Sequence, residues 1–71
     1  MKISHKYKSL KSLEINSIKL ELFEWCGNYH VRLHGVAENF IDVYIGVDKN
    51  LADGVYQAQY GVLMLQIITL R

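Results

Sequence analysis

Seventy-one residues with a single cysteine and a formal charge of +1 describe one domain, residues 1–71, with no intrachain disulfide and no set of four Cys/His ligands at zinc spacing to staple it. No apolar run reaches the length of about 20 residues needed to cross a bilayer, and nothing at the start reads as a signal peptide, so a cytoplasmic chain with no membrane contact is expected. A hydrophobic fraction of 51% is high for so short a chain without staples, and it points to a homodimer.

The charge is unevenly spread. Lys2, Lys6, Lys8 and Lys11 fall in the first eleven residues with no acid among them, while the remaining four cations face seven acids. Residues 1–12 therefore read as a basic arm or a short helix, with Ile3, Tyr7 and Leu10 near helical spacing. Such an arm could contact nucleic-acid phosphates or simply stay solvated.

From Ile18 the period becomes two. Ile18, Leu20 and Leu22 point one way, and Lys19, Glu21 and Phe23 the other, so a strand runs to Trp25 or Cys26. Tyr29 to His34 alternates again, and Gly27-Asn28 between the two runs predicts a two-residue type II′ hairpin. That loop sends Cys26 to an apolar face with Leu22 and Leu20, as a buried and inert thiol. The other face collects Phe23, Trp25, His30, Arg32 and His34. Phe40 to Val47 is a third strand, with Ile41, Val43, Ile45 and Val47 on one face.

Asp48 to Gly54 reads as a polar loop with at most one helical turn, Asp48 as its N-cap and Gly54 just past its end. Val55 to Tyr60 is expected as a fourth strand and Val62 to Leu70 as a fifth, with Gly61 as a bulge between them. The last run is apolar on both faces and must be covered on two sides. In a strand, Met64, Gln66 and Ile68 share the face that would meet a second copy. The predicted fold is all-β, a small antiparallel five-stranded meander, barrel-like or open, with at most one short helix.

No catalytic constellation emerges. Cys26, His30 and His34 have the spacing C-x3-H-x3-H, which would suit a metal on a helix. On a strand the two histidines lie about 13 Å apart, too far to share an ion, so neither metal nor other cofactor is expected. The aromatic and cationic cluster of Phe23, Trp25, His30, Arg32 and His34 fits a partner-binding face, since Trp, Tyr and Arg concentrate at interface hot spots. A non-catalytic protein-binding module, a regulator or inhibitor acting by occupying a partner's surface, is the expected function. The alternative is a small nucleic-acid-binding barrel, stacking bases on the same face and using Lys2, Lys6, Lys8 and Lys11 on phosphates.

Overall fold

The computed structural model describes residues 6–35 and 39–69, with side chains of the final helix described as far as Gln66. Four antiparallel strands form one sheet: β1 (Tyr7–Ile15), β2 (Ile18–Trp25), β3 (Asn28–His34) and β4 (Phe40–Gly46), followed by a single long helix, α1 (Lys49–Thr69). The strands lie side by side in chain order, so β1 and β4 are the two edges.

The five-stranded expectation is overturned by α1. The two runs read as strands, Val55 to Tyr60 and Val62 onward, are one continuous helix of 21 residues. Ala52, Tyr56 and Leu63 are buried along it, with Val55 and Gln59 half-buried between them, which is a stripe of period 3.6 facing the sheet. Valines, isoleucines and tyrosines had suggested strand, and Gly61 a break. Each glycine inside a helix costs about 1 kcal/mol relative to alanine, an amount that tertiary packing overrides. Asp48 does cap the helix: its Oδ1 accepts from the Asn50 and Leu51 amides at 2.9 and 3.2 Å. The helix then runs straight through Gly54, the residue expected beyond its end.

At the other terminus, Tyr7 to Leu13 and beyond form a full edge strand, so the described part of the segment read as an arm or short helix is neither. Asn16 and Ser17 join β1 to β2 with φ of 51° and 68°, the paired left-handed values of a type I′ turn. Cys26 and Gly27, at 53° and 81°, make the same turn between β2 and β3. The loop is therefore Cys26-Gly27, one residue earlier than the expected Gly27-Asn28. Sliding the loop back by one moves every partner along by two, so Phe23 lies opposite His30 instead of Arg32, yet all strand side chains keep their face. Cys26 itself is exposed in the turn instead of buried.

A second irregularity re-aims β4. Asp42 pairs with Arg32 and Tyr44 with Val31, leaving Val43 as an extra residue. The bulge splits the expected apolar face: Ile41, opposite Leu33, lies on the helix side, and Ile45, opposite His30, on the other.

α1 packs across one face only. Leu20, Leu22 and Val31 are fully buried against Ala52, Tyr56 and Leu63, and each of the three large sheet side chains contributes roughly 2 kcal/mol by leaving water. Among the described residues, no helix is long and apolar enough to cross a membrane.

Candidate binding face

Strand alternation, fixed by the two type I′ turns, sends Tyr7, Phe23, Trp25, His30, Arg32, His34 and Phe40 to the face away from α1. No described element covers that face. All five residues singled out from the sequence, Phe23, Trp25, His30, Arg32 and His34, are thus brought together, although paired differently.

Two layers can be distinguished within the cluster. Phe23 and His30 are the floor, only 3% and 6% exposed, with their rings stacked at 4.8 Å and 5° apart in plane. Tyr7 tilts against Phe23 at 5.1 Å and Trp25 against His30 at 6.1 Å, shielding them from the side. Both ring nitrogens of His30 are buried with no hydrogen-bond partner among the described residues, so this imidazole serves as an aromatic slab and its donor goes unsatisfied at a cost of about 1–3 kcal/mol. The upper layer stays in water: Tyr7, Trp25 and Phe40 are 55%, 41% and 52% exposed.

Arg32 ties the layers together. Its guanidinium lies 4.1 Å from the Phe40 ring centre and 5.1 Å from that of Phe23, while Nε and Nη2 donate to the two Asp42 carboxylate oxygens at 2.6 and 3.2 Å. The bidentate bond holds the Asp42 carboxyl below its ordinary range and raises the already high value of Arg32. Glu21, 5% exposed, accepts from the Tyr7 hydroxyl and lies 3.9 Å from Lys19 Nζ. That bond to Glu21, with a smaller contribution from burial, raises the Tyr7 phenol. A groove of about 330 Å³ runs over Glu21, with Tyr7 and Trp25 toward one end and Lys19 and His34 toward the other.

Among the described residues this face sets Lys19 and Arg32 against Glu14, Glu21 and Asp42, so it leans acidic. The basic segment does not join them. Lys8, opposite Glu24, and Lys11, opposite Leu22, lie on the helix side of β1, where Lys11 Nζ meets Asp53 at 2.5 Å. Lys6 is exposed just before β1, and Lys2 lies outside the described residues.

Of the expected dimer residues, Met64 is half-buried, Gln66 is exposed beside the start of β4, and the Ile68 side chain lies outside those described. Cys26 sits in a turn and His30 on the floor of the open face, so C-x3-H-x3-H does not converge; among the described residues no group of three or more His, Cys, Asp or Glu could hold a metal ion.

Tyr7, Phe40 and the Arg32–Asp42 clamp were not foreseen. Tyr7 was hidden by the helical spacing of its neighbours, although Asn16-Ser17 with alternation on both sides is a hairpin signal. Phe40 and Asp42 depended on the bulge. No protein-family model matches this chain, and no similar curated protein or solved structure is found.

Proposed function

We propose that the chain is a non-catalytic protein-binding module that acts by laying its open sheet face on a partner, as a small regulator or inhibitor would. The observation that carries this reading is the layered aromatic face: exposed Tyr7, Trp25 and Phe40 stand on a floor of Phe23 and His30, with the Arg32 charge between them already paired to Asp42. Rigid aromatic anchors around a fixed arginine offer contact area at small entropic cost, the chemistry of an interface hot spot. The lone exposed thiol suits a reducing compartment, and we place the protein in the cytoplasm.

A polyanion fits this face less well. Stacking bases on Trp25 and Phe40 would require several cations along the same groove, but Arg32 is committed to Asp42, Lys19 lies 3.9 Å from the Glu21 carboxylate, and Lys8 and Lys11 are on the far side of the sheet. The test is partner capture by the wild-type chain and by a Trp25→Ala, Phe40→Ala variant, with retention on single-stranded DNA at low salt measured in parallel. Loss of protein capture in the variant supports the reading; salt-sensitive DNA retention that depends on Trp25 overturns it.

A further inference from the structure

The two edges of the sheet are built differently. β1 carries Lys8 and Lys11, follows Lys6, and its register is broken by a bulge between Ser9 and Lys11. Lysines and bulges are the devices that stop an edge strand from recruiting another strand. β4 has a bulge but no such charges. Ile41, Ile45 and the following Val47 are 67%, 56% and 76% exposed, and the strand's one charged residue, Asp42, is held by Arg32 of the neighbouring strand.

The apolar strip continues onto α1. A cleft of about 300 Å³ lies between the start of β4 and the helix, lined by Leu33, Phe40, Ile41, Val62 and Leu63. One turn further Leu65 is 64% exposed, although Leu63 beside it is buried. From Gly54 to Thr69 the helix contains no charged residue. The sheet thus covers one side of the helix's apolar run and leaves a second side, Val62 and Leu65, exposed next to an edge that carries no lysine.

We propose that a second copy of this chain covers this strip, with the two β4 strands paired antiparallel about a two-fold axis normal to the sheet. Two identical surfaces can meet only if neither repels itself, and the strip carries no unpaired charge among its described residues; the β1 edge would set lysines against lysines. The size also suits. Phe40, Ile41, Val43, Ile45, Val47, Val62 and Leu65 together leave about four side chains' worth of apolar surface exposed, on the order of 700 Å² per copy, close to the ~800 Å² per partner of a stable interface. Backbone pairing along β4 would add the ladder hydrogen bonds that an edge strand lacks.

A two-fold axis normal to the sheet has a functional consequence. Both helices fall on one side of a continuous eight-stranded sheet and both aromatic faces on the other, so the dimer presents two copies of the Phe23–Arg32 cluster side by side. The pairing also moves the expected interface from Met64 and Ile68 to Val62 and Leu65, with Gln66 retained at its margin.

The test is mass in solution by size exclusion with light scattering at high micromolar concentration. Wild type is expected at twice the 8.2 kDa chain mass, Ile41→Lys at the single-chain mass with an unchanged far-UV circular dichroism spectrum, and Lys8→Glu on the opposite edge still at the dimer mass. Trp25→Ala should also remain dimeric, which separates this inference from the proposed function. A single-chain mass for wild type, or a dimer indifferent to Ile41→Lys, overturns the proposal. Should Ile41→Lys not fold, amide exchange of the wild type decides: β4 amides not bonded to β3 must exchange more slowly as concentration rises, and concentration-independent exchange overturns it.

Discussion

Arg32 and Asp42 stand directly opposite each other on β3 and β4 and are joined by two hydrogen bonds, with the guanidinium plane resting against Phe40. Both side chains are only about a fifth exposed, at 23% and 21%, so the pair is screened less than a surface ion pair. Because the folded carboxyl is held below its ordinary range, its contribution is fully present above the unfolded carboxylate value and is lost as pH falls through the folded one. Urea unfolding at fixed protein concentration should show stability declining from about pH 5 downward. Asp42→Asn should flatten that decline and cost about 1–2 kcal/mol at neutral pH. An unaltered acid limb in Asp42→Asn would show that other carboxylates govern it.

The two layers of the open face predict a split response to alanine. Phe23→Ala removes a buried ring from the floor and should cost about 3 kcal/mol or more. Trp25→Ala and Phe40→Ala, trimming exposed rings, should each change stability by less than about 1 kcal/mol. Thermal melts of the three variants check this. Equal losses at all three positions would make the whole face structural.

Gly61 distinguishes helix from strand. A Cβ placed there meets nothing within 4 Å, so Gly61→Ala should stabilise the chain by about 0.5–1 kcal/mol through helix propensity. At the bulge between two strands expected from the sequence, the same change would have been harmful. A lowered melting temperature in Gly61→Ala contradicts the continuous α1.

Ala52 is fully buried where the helix meets Leu20, Leu22 and Val31. Ala52→Leu should therefore overpack that contact by about 1–3 kcal/mol, and Leu22→Ala should cost about 3–4 kcal/mol. In a domain this small, each kcal/mol moves the melting midpoint by about 4–8 °C.

Much of the sheet was legible in the residues, and the helix was not. Alternation from Ile18 to His34 assigned Phe23, Trp25, His30, Arg32 and His34 to one face, and that survived a misplaced turn because the slip changes partners by two positions and leaves sides untouched. Cys26 misled because Gly27 fits the first position of one hairpin turn and the second of another, and only cross-strand packing decides between them. For Val55 to Thr69, composition favoured strand while the stripe of Ala52, Tyr56 and Leu63 favoured helix. That stripe begins inside what read as a loop, so neither half of the segment showed its period alone. The expectation of a strand covered on two sides gives way: the run is helix, and within its described part Leu63 is buried against the sheet while Val62 and Leu65 face water.

The most direct test of the open face as the working surface is partner capture by wild type beside the Trp25→Ala, Phe40→Ala variant, with Lys8→Glu as an off-face control. The account predicts that the double variant loses the captured protein while keeping its fold, and that Lys8→Glu retains it. Undiminished capture by a folded double variant would contradict it.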